Sequence, residues 1–383
     1  MRIIVAPDSY KGSVSALGVA DAMERGIKKV FADAAVIKLP IADGGEGTVE
    51  ALVAAAGGHT VRRQVVGPLG EPVEAHFGIL EDGETAVIEM AAASGLPLVP
   101  FHKRDPRITT TYGTGQLIKA VLDQGIKKII IGIGGSATND GGTGMAKALG
   151  AVFYDASGRE LPAGGAALAN LSKIDVSGLD SRLASTTILV ACDVDNPLCG
   201  SRGASAVYGP QKGATPAMVE ELDAALDHFA TIASRTTGRD VAELPGAGAA
   251  GGLGAGLLFF TGAQLRPGVE IVLDTVGYRS LVEGANLVIT GEGRTDFQTA
   301  YGKAPVGVAK IAKEFQVPVV CLSGGLGNGA EDVLTQGIDA VMSIVPGPMS
   351  LENCLENGPD LIEAAAARLC RLIRLGGMTR IKD

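Results

Sequence analysis

The sequence predicts an α/β fold of two domains, one of which is divided along the chain. Strand-like and helix-like segments alternate up to about residue 57 and again from about residue 286, as a parallel sheet covered by helices requires. Between these regions, short strands are separated by Pro and Gly turns, which indicate antiparallel hairpins. We therefore predict one doubly wound domain from residues 1–60 and 285–383, and an inserted mixed α/β domain from residues 61–284.

Length and composition support this division. The chain has 383 residues, and single hydrophobic cores stop growing at roughly 250–300 residues. Hydrophobic residues make up 46% and charged residues 20% of the chain, which is typical of globular proteins. The 55 glycines are about twice the average share of roughly 7% and indicate many tight loops.

The predicted doubly wound domain consists of short apolar strands and of helices with apolar residues at helical spacing. A strand at 3–6 precedes a helix that begins after a cap at Ser13, and a strand at 36–41 precedes a helix that ends at Ala56. In the C-terminal region, the predicted strands and helices alternate at 287–290, 305–315, 317–322, 330–336, 340–345 and 360–375.

The predicted inserted domain begins with three strands that are too closely spaced for helices between them, at 61–66, 73–80 and 85–90. Helical spacing then returns at 116–127. Further strands are expected at 129–133, 151–154 and 187–191, and further helices at 216–236 and 253–261.

The composition argues against nucleic-acid and membrane partners. Tryptophan is absent, aromatic residues make up 4%, and the net charge is −9, so neither base stacking nor a basic phosphate-binding surface is indicated. No apolar stretch approaches the ~20 residues of a transmembrane helix. The N-terminus does not resemble a signal peptide, and the five cysteines show no C-x-x-C spacing. We therefore expect a cytoplasmic protein.

The most informative segment is residues 132–144, which we call the glycine loop and which directly follows a β-branched run. Glycine lets backbone N–H groups approach a ligand closely, so such a loop can wrap an anion. The loop also carries one carboxylate, Asp140. We expect its backbone to bind phosphate groups, with these candidate residues: Gly132, Gly134, Gly135, Ser136, Asn139, Gly141 and Gly142.

A second interpretation of the same loop is a dinucleotide site. Residues 132–137 fit the pattern G-x-G-x-x-A, and Asp155 lies near the distance expected of a ribose-binding acid. Against this, the pattern needs a helix that starts within the glycines, and residues 139–144 would break it. A phosphate-binding loop could also serve a protein that transfers phosphate groups. Two other functions stay open beside it: an NAD-dependent oxidoreductase of a small hydroxy acid, and a non-catalytic phosphometabolite-binding protein.

Polar residues follow the predicted strands, where open parallel sheets bind their ligands. A single aspartate between a strand and a helix often serves only as a turn or N-cap residue. Their recurrence at successive strand ends favours function, because phosphoryl transfer uses carboxylates, cations and N–H donors together. The residues are Asp8, Ser9, Lys11, Asp43, Asp140, Asp193, Arg294 and Asp296.

A set of segments along the chain carries a family resemblance. Besides the glycine loop, the segments are residues 6–13, 42–48, 89–96, 103–106, 110, 113–115, 191–194, 209–214, 245–252 and 290–294. Together they resemble the signatures of the bacterial type 1 glycerate kinases. The resemblance implies ATP-dependent phosphorylation of D-glycerate, and many members form 2-phosphoglycerate. It also implies a flavodoxin-like domain interrupted by a second α/β domain, and it leaves room for a homo-oligomer.

The roles in such a kinase follow from the chemistry of the side chains. We expect Asp193 or Asp8 to accept the glycerate hydroxyl proton, as a positioned carboxylate can. Mg²⁺ would be bound by Asp43, Asp140 and Asp296. Three cations and one hydroxyl would bind the substrate carboxylate or the γ-phosphate. The cations are Lys11, Arg104 and Arg294, and the hydroxyl is that of Ser9. We expect Lys11 to be catalytic as well. The active site is expected in the cleft between the two domains.

Overall fold

The structure of the chain is a computed structural model that describes residues 1–378, so residues 379–383 of the predicted first domain lie outside the described residues. The chain divides into two units. The first unit contains Met1–Asp43, Glu50–Gly57 and the chain from Val269 onward, and the second contains Gly44–Val49 and Gly58–Gly268. Relative to the predicted boundaries at residues 60 and 285, residues 44–49 and 58–60 therefore belong to the second unit and residues 269–284 to the first.

Residues 44–49 are held in the second unit by close contacts. A Cβ atom at Gly132 would lie 2.2 Å from the carbonyl oxygen of Gly44, so only glycine permits this approach of the two backbones. The backbone N–H of Val49 also donates a hydrogen bond of 2.7 Å to the buried carboxyl of Glu89. The partners are far apart in the chain, so the sequence pattern gave no sign of these contacts.

The two units together contain the following strands and helices, numbered along the chain. The strands are β1 (Arg2–Pro7), β2 (Ala35–Lys38), β3 (Gly58–Val66), β4 (Pro72–Leu80), β5 (Thr85–Glu89), β6 (Lys128–Gly132), β7 (Val152–Tyr154), β8 (Lys173–Asp175), β9 (Thr187–Ala191), β10 (Gln264–Arg266), β11 (Leu287–Thr295), β12 (Val319–Leu326) and β13 (Ala340–Ser343). The helices are α1 (Ala16–Lys28), α2 (Thr48–Ala56), α3 (Ala91–Ser94), α4 (Tyr112–Asp123), α5 (Thr143–Ala148), α6 (Ala204–Tyr208), α7 (Pro216–Thr237), α8 (Ala249–Thr261), α9 (Gly268–Thr275), α10 (Tyr278–Val282), α11 (Ala304–Glu314), α12 (Leu351–Glu356) and α13 (Gly358–Met378).

The first unit contains a five-stranded parallel sheet with the order β2-β1-β11-β12-β13. Counted within the unit, this is the order 2-1-3-4-5 of flavodoxin-like folds, as the resemblance implied. Ile3 in β1 lies opposite Val36 on one side and Leu287 on the other. The apolar faces of α1 and α13 pack on this sheet, with Met23 and Ile362 among the buried residues of the same core. The predicted fold class is therefore confirmed.

The second unit contains a six-stranded mixed sheet with the order β3-β4-β5-β6-β9-β10. The pairs β3–β4 and β4–β5 are antiparallel, as the short spacing of these strands predicted, and the remaining pairs are parallel. A separate antiparallel pair is formed by β7 and β8. The apolar run Ile129–Ile131 is fully buried at the centre of the larger sheet, which explains why it is β-branched without alternation.

The local structure departs from the sequence prediction at several helix ends. The first helix is capped by Ser15, whose hydroxyl accepts the N–H of Gly18, whereas Ser13 donates to the carbonyl oxygen of Leu355. The helix predicted at 116–127 is α4, which begins earlier at Tyr112 and ends at Asp123. The segment at 330–336 forms a 3₁₀ helix. Several short elements were not predicted, because they are too short to show periodicity. They are β8, β10, α3, α5, α6, α9, α10 and α12.

Candidate active site

The carboxyl ends of β1 and β11 form the switch point of the first sheet. The next strand in the chain, β2, lies on one side of β1, whereas β11, β12 and β13 lie on its other side. Flavodoxin-like sheets bind ligands at such a point, since the loops there diverge and leave a crevice. Asp8 directly follows β1, and Glu292 lies near the end of β11. Two carboxylates therefore meet where the fold offers a binding site.

Asp8 is the carboxylate with the most perturbed acidity at this point. Burial raises its pKa from 3.8 to about 7, and the charges of Asp43 and Glu292 act in the same direction. The N–H of Ser9, which donates to Asp8 Oδ1 at 2.6 Å, and the charge of Lys11 oppose the increase. A carboxyl with a pKa near neutrality is suited to accept a proton from a substrate.

Lys11 and Asp43 form an exposed ion pair beside Asp8. The distance between Lys11 Nζ and Asp43 Oδ2 is 3.8 Å. Asp43 lies in the loop between β2 and α2, and both side chains affect the pKa of Asp8. The sequence therefore correctly grouped four residues at one sheet edge: Asp8, Ser9, Lys11 and Asp43.

Glu292 is a site residue to which the sequence analysis gave no role. Its carboxyl is buried, and Oε1 accepts hydrogen bonds from the hydroxyls of Thr299 at 2.6 Å and Thr295 at 3.3 Å. Oε2 lies 3.9 Å from Lys303 Nζ. Burial raises the pKa of this carboxyl, and the hydroxyls and Lys303 oppose the increase. Its position directly after the predicted strand at 287–290 was the signal that could have identified it.

Arg294 and Asp296 also lie together, close to the end of β11. Arg294 Nε is 3.6 Å from Asp296 Oδ2, and the arginine side chain is exposed. Asp296 Oδ1 accepts the N–H of Gln298 at 3.0 Å, so the aspartate also closes a local turn. Arg294 is therefore accessible to an anion, whereas one oxygen of Asp296 is already used by the backbone.

Asp140 occupies a different environment from the one predicted for a metal ligand. It is fully buried, and burial raises its pKa. Oδ2 accepts the N–H and hydroxyl of Thr111, at 2.8 and 2.9 Å, and the N–H of Gly144 at 3.2 Å. Oδ1 accepts the N–H of Gly142 at 3.1 Å. The expectation that Asp140 binds Mg²⁺ does not fit this geometry, because four donors of the chain already surround the carboxyl.

Most of the glycine loop is likewise packed against the protein. Gly141 donates its N–H to the carbonyl oxygen of Gly251 at 3.0 Å, and a Cβ atom at Gly142 would meet Gly256 Cα at 3.0 Å. The predicted phosphate contacts of Gly132, Asn139, Gly141 and Gly142 do not fit this packing, because these residues are buried, and Ser136 is buried as well. Gly134 and Gly135 are exposed.

A buried polar cluster lies beneath the glycine loop. Lys212 is 1% exposed, and its ammonium donates to the carbonyl oxygen of Thr138 at 2.7 Å. Burial lowers the pKa of Lys212 from 10.5 to about 7, and the charge of Asp140 opposes the decrease. Asn139 donates to Ser205 Oγ at 2.9 Å. Lys212 lies in the segment 209–214, which carries part of the family resemblance, but the sequence analysis predicted no role for it.

Arg104 lies beside the segment that carries Lys212. One guanidinium nitrogen donates to the carbonyl oxygen of Gln211 at 3.3 Å, and the group lies over the ring of Phe101 at 5.3 Å. Its Nε is buried and has no hydrogen-bond partner among the described residues. Buried donors are nearly always satisfied in proteins, so this nitrogen is suited to a ligand acceptor such as a carboxylate.

Asp193 lies in the second unit at the end of β9. Its side chain is exposed, and Oδ1 accepts the N–H of Gly268 at 2.9 Å.

Asp155 is bound within its own turn, where it accepts the N–H and hydroxyl of Ser157. The ribose-binding role considered for Asp155 therefore has no support, and α5, which begins only at Thr143, is too short for a dinucleotide fold.

The second unit also contains a cavity of about 460 Å³ beside the end of the glycine loop. Thr143, Gly144 and Lys147 line it, and no predicted site residue does.

Within residues 1–378 no three His, Cys, Asp or Glu side chains are arranged to hold a metal ion. Mg²⁺ commonly takes only one or two protein carboxylates together with substrate phosphates, so carboxylate pairs remain suitable for it. No helix in the described part of the chain is long and apolar enough to cross a membrane.

The chain is an α/β protein with one flavodoxin-like unit, whose switch point carries carboxylates and cations, and one mixed α/β unit. The chain matches the Glycerate kinase family over residues 3–374 and belongs to that family. It is 56% identical to a glycerate kinase of Bacillus subtilis and 50% identical to a glycerate 2-kinase of Escherichia coli, in each case over 98% of this chain and 98–99% of the relative.

A solved structure agrees with this assignment. The crystal structure of a protein named glycerate kinase 2 from Salmonella typhimurium LT2 matches with a TM-score of 0.90 and 51% sequence identity. The match covers 99% of this chain and 100% of the other. The family predicted from the sequence is confirmed, and the chain is an enzyme of a kinase family and not an oxidoreductase.

Proposed function

We propose that this chain transfers the γ-phosphoryl group of ATP to the 2-hydroxyl of D-glycerate and forms 2-phosphoglycerate and ADP, with Mg²⁺ as the cofactor. Membership of the Glycerate kinase family supports the substrate, and the name of the Escherichia coli relative supports the 2-position. The observation that carries the proposal is the acidity of Asp8 at the switch point of the first sheet.

Asp8 is the proposed general base, in preference to Asp193. Its pKa of about 7 means that the carboxylate is both available at neutral pH and basic enough to take a proton as the phosphate bond forms. Asp193 is exposed at the end of β9 and shares one oxygen with the N–H of Gly268. In the proposed step, the hydroxyl oxygen of glycerate bonds to phosphorus, its proton passes to Asp8, and ADP leaves with the electron pair of the broken bond.

The cations of the chain have separate proposed roles. Lys11 and Arg294 are exposed at the carboxyl edge of the first sheet, and both would contact phosphate oxygens. Arg104 would bind the carboxylate of glycerate, because its buried Nε has no partner among the described residues and a guanidinium can bind a carboxylate through two hydrogen bonds. Gly134 and Gly135 remain as the accessible backbone of the glycine loop.

Asp43 and Asp296 fit a Mg²⁺ ion better than Asp140 does. Both are partly accessible carboxylates, and hard oxygen ligands suit this ion. Bound Mg²⁺ would neutralise charge on the β- and γ-phosphates. The side chains of Lys11 and Arg294 would then hold the remaining phosphate charge in place.

Product identification tests the proposal. The enzyme is incubated with ATP, Mg²⁺ and D-glycerate, and phosphorus NMR distinguishes 2-phosphoglycerate from 3-phosphoglycerate. We expect the 2-phospho product, with a turnover that falls by about 10²–10⁴-fold in Asp8→Asn. The matched control is Asp33→Asn, which changes an exposed aspartate of the same unit. Absence of a new phosphate ester refutes the kinase assignment, and near-normal turnover of Asp8→Asn refutes the role of Asp8.

A further inference from the structure

We propose that Lys303 is a catalytic residue that contacts the transferring γ-phosphoryl group, and that Glu292 holds its ammonium in position. This inference rests on the proposed phosphoryl transfer from ATP. The sequence pattern predicted no role for Lys303. Four observations carry the inference: the fixed backbone of Lys303, its unshared N–H donors, the anchoring of Glu292 and their position at the switch point.

The backbone of Lys303 is fixed at the residue before α11. The N–H groups of Val306 and Gly307 donate to its carbonyl oxygen at 3.0 and 3.1 Å. The preceding 3₁₀ turn, Thr299–Tyr301, ends at Gly302, which has a φ of 108°. Lys303 therefore starts from a rigid position between a short turn and a helix, and its side chain is 40% exposed.

The N–H groups of the Lys303 ammonium make no hydrogen bond to the described part of the chain. Its distance of 3.9 Å from Glu292 Oε2 is an ion-pair distance but exceeds a hydrogen bond. Among residues 1–378, no acceptor lies within hydrogen-bond distance of it. A lysine ammonium has three N–H donors and no acceptor, so all three remain for a ligand or water.

Glu292 is held by the protein so that one oxygen faces Lys303. Oε1 accepts the hydroxyls of Thr299 and Thr295, and the Thr295 oxygen lies 2.6 Å from Ser323 Oγ in β12. The carboxyl therefore cannot turn without breaking hydrogen bonds in a buried network. A fixed negative charge at 3.9 Å orients the ammonium without occupying its donors.

The pair lies at the same sheet edge as the proposed base. Gly291, the neighbour of Glu292, pairs with Pro7 in the register of β11 and β1. Its carbonyl oxygen accepts the N–H of Asp8 at 2.8 Å. The charge of Glu292 also acts on Asp8. Lys303 is thus paired with a carboxylate that acts on the proposed base, at the sheet edge where charge on the γ-phosphoryl oxygens would need compensation.

The proposed role of Lys303 is electrostatic. As the bond between the γ-phosphorus and the bridging oxygen of ATP breaks and the bond to the glycerate oxygen forms, the ammonium donates hydrogen bonds to the non-bridging γ-oxygens. Lys303 neither gains nor loses a proton in this step. The hydroxyl proton of glycerate passes to Asp8, and the electron pair of the broken bond leaves with ADP.

The test compares Lys303→Met with Lys313→Met, its matched control on the same helical segment. Lys313 is 39% exposed and paired with Asp339 at 2.6 Å, but it lies in the last turn of α11. Steady-state kinetics give kcat and the KM for glycerate. Calorimetric titration without glycerate gives the Kd of ADP and of the imido analogue of ATP, which cannot transfer its γ-group.

For Lys303→Met we expect kcat to fall by at least about 100-fold and binding of the ATP analogue to weaken by about tenfold or more, while ADP binding and the KM for glycerate stay close to those of the wild type. Lys303→Arg should recover part of the activity, because it keeps the charge. Lys313→Met should resemble the wild type in all four quantities. Melting temperatures show whether each variant is folded.

Three results would overturn the inference. One is a normal kcat with an unchanged preference for the ATP analogue over ADP. The second is equal weakening of both nucleotides, which indicates a structural role. The third is a higher KM for glycerate alone, which places Lys303 at the substrate carboxylate. If the wild-type enzyme itself forms no phosphoglycerate, the proposed function fails, and the preference for the analogue over ADP still reports whether Lys303 contacts a γ-phosphate.

Discussion

The ammonium of Lys212 donates a 2.7 Å hydrogen bond to the carbonyl oxygen of Thr138, and this contact is fully enclosed in the second unit. The charge of Asp140, also buried, acts on the same ammonium. The glycine loop therefore contacts a buried lysine and contains a buried aspartate. The segment that suggested phosphate binding in the sequence thus takes part in hydrogen bonds inside the second unit.

We expect Lys212→Met to lower the free energy of unfolding by about 2 kcal/mol. The substitution leaves the Thr138 carbonyl oxygen buried without its donor and removes the positive charge that acts on Asp140. Urea unfolding followed by circular dichroism measures the effect. The control is Lys28→Met, since Lys28 also donates to two carbonyl oxygens but is exposed, and its loss should cost less than about 0.5 kcal/mol. Equal costs for both variants would contradict a special role of the buried cation.

The pH dependence of the reaction should report Asp8. The group must be ionised to accept a proton, so kcat/KM is expected to rise with pH below about 7 and to level off above it. In Asp43→Asn a negative charge beside Asp8 is removed, which lowers the pKa of Asp8. The acid limb of the profile should then shift to lower pH. An acid limb at the same pH in both enzymes would show that another group controls it.

Arg104 should determine the affinity for glycerate. Arg104→Lys loses the fork of donors, including the buried Nε, and we expect the KM for glycerate to rise by about 10–100-fold with a smaller change in kcat. The control is Arg107→Lys, because both ends of the Arg107 guanidinium are already bound to Asp105, at 3.0 and 2.8 Å. The hypothesis is wrong if the two variants have the same KM for glycerate.

The regular elements could be predicted because their signal is local. The predicted strand at 187–191 has the same bounds as β9, and the three predicted hairpin strands correspond to β3, β4 and β5. Apolar runs and Pro or Gly turns identify such strands without knowledge of their partners. The three-residue strand β10 was missed, because so short a segment shows no period, and its pairing with β9 is decided by tertiary contacts.

The candidate site was predicted less completely than the fold, because the sequence does not show which polar side chains are buried. An aspartate among glycines looks the same in sequence whether it faces a ligand or the backbone. The main partner of Asp140 is Thr111, 29 residues earlier in the chain, and only the fold brings the two together. Lys212 and Lys303 were passed over because most lysines are solvated. Asp8 and Lys11 could be predicted to lie together because both follow the end of one strand of a parallel sheet, and such strand ends are where these sheets bind ligands.

The distinction between a structural and a metal-binding aspartate can be measured directly. Asp140→Asn removes charge from a carboxyl that accepts four hydrogen bonds, and its amide nitrogen would face donors, so we expect a loss of about 2 kcal/mol or more in stability. In the folded enzyme, the Mg²⁺ concentration for half-maximal activity should remain unchanged. Asp296→Asn should do the reverse, with a small effect on stability and a higher Mg²⁺ requirement. Both quantities come from urea unfolding and from activity titrated with Mg²⁺ at saturating ATP. A raised Mg²⁺ requirement in Asp140→Asn would restore Asp140 as a metal ligand and would mean that the enclosed carboxyl becomes accessible during turnover.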